Sequence, residues 1–192
     1  MGLHLSGDRA AYDLISRDAF ALLIGMVLDQ QIPLERAFAA PSALVERLGG
    51  VLDVVAIASM EPERLVRAFS EKPALHRFPA AMAGRVQQLA RLVLENWNGD
   101  ARSIWTSPAD GAELLNRIEQ LPGFGRQKAK IFVALLGKQL GVRPSGWREA
   151  AGPFGGDGSL LSIADIDGPE SLAAVRAHKA AMKRAAKAAP TS

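Results

Sequence analysis

LPGFGRQKAKIF, residues Leu121–Phe132, sets a tight Pro-Gly-x-Gly turn directly in front of a basic run with helical spacing. Gly123 and Gly125 add no side chain and permit positive φ, so two helices joined here approach closely. A helix starting at the second glycine presents free backbone N–H groups and the positive end of its dipole, which together form a phosphate site. Arg126, Lys128 and Lys130 follow at once and would strengthen it. The same residues also suit an ordinary αα-corner with a solvated basic face. Upstream, Asp110 precedes Leu114, Leu115 and Ile118; downstream come Ala129, Phe132, Val133, Leu136 and Leu140. The reading is helix, tight hairpin, helix.

Working outward, helix signals dominate and no strand pattern competes, so the expected fold class is all-α. An apolar run from about Arg17 to Gln31 reads as one buried helix that stops at Pro33. Pro41-Ser42 is expected to open a short helix closed by Gly49-Gly50, with further starts at Asp53 and Pro62. Pro79 begins a long helix whose stripe is Met82, Val86, Leu89 and Val93, ended by Gly99. Residues 141–160 are rich in Gly and Pro and read as a long loop with one short helical turn. Gly168-Pro169 starts the last helix, expected to reach about Ala188, with Arg176, Lys179, Lys183 and Lys187 on one face.

The 192 residues can bury a core without staples, and there is no cysteine. That excludes disulfides, a thiol nucleophile, Cys-ligated zinc and an iron-sulfur cluster. The three histidines are too scattered for a metal site. With no leader pattern and no long apolar span, the expectation is a cytoplasmic protein with no membrane partner. Residues 169–192 carry five basic groups against Glu170 alone, so the positive charge collects at the C-terminus while the chain's total is +3. Such asymmetry suits a polyanion partner.

The order Leu-Pro-Gly-apolar-Gly-x-x-x-Ala resembles the hairpin of the helix-hairpin-helix (HhH-GPD) superfamily of base-excision DNA glycosylases, with this chain as a divergent bacterial member. LLIGMVLDQQIP, Leu22 to Pro33, is similar to the family's early buried helix ending in Gln-Gln, and HRFPAAMAGRVQQLARLV to the helix before the hairpin. The resemblance implies a barrel-like helical domain over 20–140, with the hairpin at 110–140, and a second domain formed by 1–19 with 141–192 across a DNA-binding cleft. It implies a monomer in the nucleoid bound to damaged double-stranded DNA. The hairpin, through Gly123, Gly125, Arg126, Gln127, Lys128 and Lys130, would grip phosphates without reading bases. A monovalent cation, Na or K, would sit on the main-chain carbonyls of Glu119, Leu121 and Phe124. Gln31 would enter the space left by an extruded base, as against a local helix-end hydrogen bond.

The family's catalytic Asp aligns near Ser145, where this chain has no acid. Glu149 and Asp157 are the loop acids that could reach the sugar and support its oxocarbenium-like transition state. Trp147 and Arg148 could stack on a base and hold a phosphate, or Trp147 could pin the loop. The bifunctional members' Schiff-base Lys falls at Gln127, with Lys128 turned away from that cleft by one helical step, so no β-lyase activity is expected. The adenine-mismatch acid falls at Met26. Asp29, after the apolar run, is either a buried acid with raised pKa or a helix-end hydrogen-bond partner. The implied function is a monofunctional glycosylase; its alternative is a non-catalytic lesion- or structure-specific DNA binder on the same scaffold.

Overall fold

The computed structural model describes residues 3–5 and 7–188; Met1, Gly2, Ser6 and 189–192, part of the expected terminal domain, lie outside the described residues. The chain is all-α, with eleven α-helices and two short 3₁₀ turns among the described residues. Asp18 divides what the sequence suggested was one helix. It ends α1 (Arg9–Arg17) and caps α2 (Ala19–Leu28), its Oδ1 accepting from the Phe20 and Ala21 amides at 2.8 and 3.0 Å. Such a cap stabilises a helix start by about 1 kcal/mol.

Every α2 residue from Phe20 to Leu28 is buried, which makes this helix the axis of the core. α3 (Leu34–Leu48) crosses it where a Cβ on Gly25 would meet the Phe38 ring at 2.6 Å. Pro41 does not open a helix as expected; it lies inside α3. The missing amide removes one hydrogen bond, and burial of Phe38, Pro41 and Leu44 along the same face offsets it.

Asp53 caps α4 (Val54–Ser59), Pro62 begins α5 (Pro62–Ser70), and both helices pack on α6 (Pro79–Trp97). The expected α6 stripe, Met82, Val86, Leu89 and Val93, is buried. Asn98 and Gly99, both at positive φ, end the helix. After the short α7 (Ser103–Thr106), Asp110 caps α8 (Gly111–Glu119) through the Glu113 amide at 2.8 Å. α9 (Arg126–Gln139) returns beside α8.

The Gly/Pro-rich stretch is ordered over α9. It contains α10 (Trp147–Ala151), and Asp165 clamps its end. The Asp165 carboxylate takes Lys138 Nζ at 2.6 Å, the Ser159 hydroxyl, and the Leu161 and Ser162 amides. α11 (Pro169–Ala188) closes the chain, and Val175 is 2% exposed. No helix of the described residues is long and apolar enough to cross a membrane.

Candidate nucleic-acid interface

The hairpin turns on Gly123, at φ +85. Its second glycine behaves differently: Gly125 has an ordinary φ of −72, and a Cβ added there would meet nothing within 4 Å. Nothing inside the protein therefore requires a glycine at 125. Gly125 is also the N-cap of α9 and supplies no side-chain cap, and residues 125–127 are exposed. The first amides of α9 face outward on an unobstructed backbone, with Arg126 beside them, its guanidinium 3.3 Å from Glu119. The Leu121 carbonyl accepts the Phe124 amide at 3.0 Å. A carbonyl keeps a second lone pair, so this bond leaves Leu121 available to the cation that the resemblance implies. Among the described residues no cluster of three or more acidic, His or Cys side chains could hold a metal.

α9 presents two faces. Lys128 and Lys130 are about 200° apart on the helix. Lys128 crosses to α2 and donates to the Met26 carbonyl at 2.7 Å, while Lys130 lies over Gly152. Lys128 is thus half-buried between helices, where the sequence had suggested an open phosphate contact. Beside it stands Asp29. Burial raises the Asp29 pKa above the usual carboxylate range, against the opposing pull of Lys128 and of Lys179 from α11. Lys128 is held below the usual lysine value by its own burial, with Asp29 pulling it up and Arg85 pushing it down. Asp29 is half-buried, and of the two readings left open by the sequence its raised pKa matches the acid.

Gln30 and Gln31 divide the work at the end of α2. Gln30 is tied inward: its Nε2 donates to the Val27 carbonyl at 2.7 Å, and Arg85 donates to its Oε1 at 3.3 Å. Arg85 also lies against the hairpin, since a Cβ on Gly123 would meet its Cδ at 2.9 Å. One arginine of α6 thereby couples the hairpin to the α2 terminus. Gln31 is exposed and at φ +56, in the left-handed region that side chains other than Asn and Asp rarely adopt.

Buried His76 braces this turn. The Phe78 amide donates to Nδ1 at 3.0 Å, which leaves Nε2–H to donate to the Gln30 carbonyl at 2.9 Å. Phe78 is 44% exposed, with the Arg77 guanidinium 5.1 Å and the His76 ring 6.1 Å from its ring centre. The sequence reading did not single out Phe78, Arg85 or His76. An aromatic directly before a helix-starting proline was the available signal for Phe78; the other two depend on packing between distant segments.

The loop residues lie elsewhere. Glu149 shares a surface hollow with Asp110, Arg126 and Lys130, on the Lys130 side of α9 and away from Lys128. Asp157 is exposed, and Arg148 grips both of its oxygens at 2.6 and 2.8 Å. That arginine holds the Asp157 carboxyl below its usual range. Trp147 is 7% exposed; one face packs on Gly137 and Arg148 lies 4.7 Å from its ring centre. It pins the loop to α9 and has no open face for a base. Ser145 joins α10 to α8 through its carbonyl, which accepts the Gly111 amide at 2.7 Å. The structure brings Asp29 and Lys128 together next to Gln31, sets Glu149 in the hollow of the hairpin residues Arg126 and Lys130 on the other face of α9, and leaves Asp157, Trp147 and Arg148 outside both groups. No protein-family model, curated protein or solved structure matches the chain.

Proposed function

We propose that this protein is a DNA-repair protein that grips duplex backbone at the hairpin and acts as a monofunctional base-excision glycosylase. The observation that carries the reading is Gln31, an exposed glutamine held at φ +56 two residues after Asp29, the acid beside Lys128. Backbone strain of this kind persists where the surroundings impose it, and it collects at functional sites. The uncapped amides behind Gly125 receive a phosphate, with a monovalent cation on the neighbouring carbonyls. Gln31 then occupies the space of an extruded nucleotide.

In this reading Asp29 is the carboxylate. The C1′–N bond breaks with its electron pair leaving on the base, and water adds to C1′ while giving a proton to Asp29. A carboxyl pushed upward toward neutrality is suited to accept that proton. Gln127, where the bifunctional members carry their amine, offers no Schiff base, and the nearby Lys128 amine is engaged by the Met26 carbonyl, so the abasic sugar is the product. A non-catalytic lesion binder is the second reading. It is favoured by the absence of an acid at Ser145, the capture of Asp157 by Arg148, and the position of Glu149 on the other face of α9.

End-labelled duplexes carrying hypoxanthine, uracil, alkylated purines, oxidised guanine or an abasic site distinguish the two. The expected result is strand cleavage of one lesion only after hot alkali, lost in Asp29→Asn with duplex affinity retained. Cleavage that survives Asp29→Asn and disappears in Glu149→Gln would move the chemistry to the other face of α9. Lesion-selective binding without cleavage would establish the sensor, and no affinity for any duplex would overturn both readings.

A further inference from the structure

At the opposite end of the α2–α9 pair from Gln31, a cavity of about 520 Å³ opens between the α1–α2 corner, α7 and the chain following α9. That volume falls within the roughly 300–1,000 Å³ typical of small-molecule sites. Its apolar walls include Ile15, Leu22, Trp105 and Val142, and three arginines line it: Arg17, Arg102 and Arg143. No carboxylate forms an ion pair with any of the three among the described residues. The single acid in the lining, Asp18, is already engaged as the α2 cap.

Two of the guanidinium groups are fixed by one bond each. Arg102 donates to the Arg17 carbonyl at 3.3 Å, and Arg143 Nε donates to the Gly137 carbonyl at 2.8 Å. The Arg17 guanidinium has no partner among the described residues. Each guanidinium carries five N–H donors, so most of the donors around this cavity are unused. Three exposed arginines border one hollow whose lining holds a single carboxylate, Asp18, with Asp100 acting on Arg102 and Asp157 on Arg143 from outside it, so positive charge prevails there and suits an anion. A carboxylate has two oxygens and fills one guanidinium fork, whereas a terminal phosphate offers three oxygens and close to two charges to three forks.

We propose that this cavity binds a small phosphate ester of mononucleotide size, its phosphate among Arg17, Arg102 and Arg143 and its flat body against the wall that holds Trp105. α2 spans about 15 Å over its ten residues, so the site is separate from the Gln31 face. The inference stands without the DNA reading.

Calorimetric titration of the full chain at low salt with adenosine 5′-monophosphate, and separately with inorganic phosphate, tests it. The expected result is saturable one-to-one binding of the nucleotide, weaker binding of phosphate alone, and a loss of about tenfold on Arg17→Ala, the magnitude of one strong charge-assisted contact. Because the Arg17 guanidinium supports no contact, that variant is expected to melt with the wild type. Gln31→Ala is expected to bind the nucleotide normally. Absence of heat with either probe at millimolar concentration would overturn the proposal, as would nucleotide binding that Arg17→Ala leaves intact or that Gln31→Ala abolishes. If Arg17→Ala lowers duplex-DNA affinity while the nucleotide gives no heat, the arginines serve a DNA backbone and the small-molecule site is disproved.

Discussion

Gln31 rests where glycine is comfortable and a side chain is not, at φ +56. A left-handed backbone costs a residue with a Cβ about 1–2 kcal/mol, and glycine's extra freedom in the unfolded chain returns about half of that. Gln31→Gly is therefore expected to stabilise the protein by about 0.5–1 kcal/mol, a rise of about 1–4 °C in Tm for a chain of this length. The same variant should lose its preference for damaged duplex. Calorimetric melting and gel shift measure the two effects, and a substitution that moves both downward would mean that the side chain is structural. Asp29 gives a second signature. Its folded pKa lies above the unfolded one, so between the two values the native state binds the extra proton and stability declines as pH rises. The decline begins near the ordinary carboxylate pKa of about 4 and is complete once pH passes the raised value. Asp29→Asn should flatten Tm over that acidic window. Lys128 contributes the opposite slope in the alkaline range, because its lowered folded pKa makes the unfolded state bind the proton more tightly there, so stability recovers as pH rises.

At the level of elements, α11 is the weakest part. Val175 is its buried anchor, and residues 179–187 are exposed on every side. Arg176 pairs with Glu35 of α3, and Lys179 acts on Asp29 at the end of α2. An isolated helical stretch of about a dozen residues is marginal in water, so hydrogen exchange should be fast over 180–188 and slow in α2 and α9. Glu35→Gln should extend the fast region back toward Arg176, and uniform protection along α11 would contradict this account. The helix starts at Asp53, Pro62, Pro79, Asp110 and Pro169 were legible because capping is local chemistry. Two boundaries were not. Asp18 serves as the end of one helix and the start of the next within one apolar run, and burial overrides the breaking tendency of Pro41 inside α3. The site divides in the same way. The hairpin was readable from turn chemistry and Gln31 was singled out by the resemblance alone, whereas the 102-residue span from Lys128 to the Met26 carbonyl and the Arg85 link between Gly123 and Gln30 arise only when α2, α6 and α9 pack. The loop misled for a related reason: Trp147 looks like an exposed stacking residue until Gly137 supplies the flat bed beneath it.

For the whole molecule, the proposed function requires a chain of net charge +3 to hold a duplex. The charge is unevenly placed, with Arg126 beside the open amides of α9 and Lys130 one turn on, and with Lys183, Arg184 and Lys187 exposed along α11. Lys179 lies close enough to act on Asp29, so under the proposed function the later basic residues of α11 are candidates for further phosphate contacts. Each phosphate contact releases counterions and adds about −0.9 to the slope of log K against log salt concentration. Arg126→Glu with Lys130→Glu should flatten the slope by about 2, one unit for each contact, uniformly across duplex sequences. Lys183→Ala, Arg184→Ala and Lys187→Ala together should remove about 1–3 more, according to how many reach phosphate. Lys128 is the wrong residue for this test: replacing it with glutamate leaves the Met26 carbonyl unpaired and sets a second acid against Asp29, a fold penalty of about 1–3 kcal/mol that would mimic lost binding. Fluorescence-anisotropy titrations across a salt series read the slopes directly. An unchanged slope in the Arg126/Lys130 pair would mean that the hairpin does not touch the backbone, and the open amides behind Gly125 would then need another explanation.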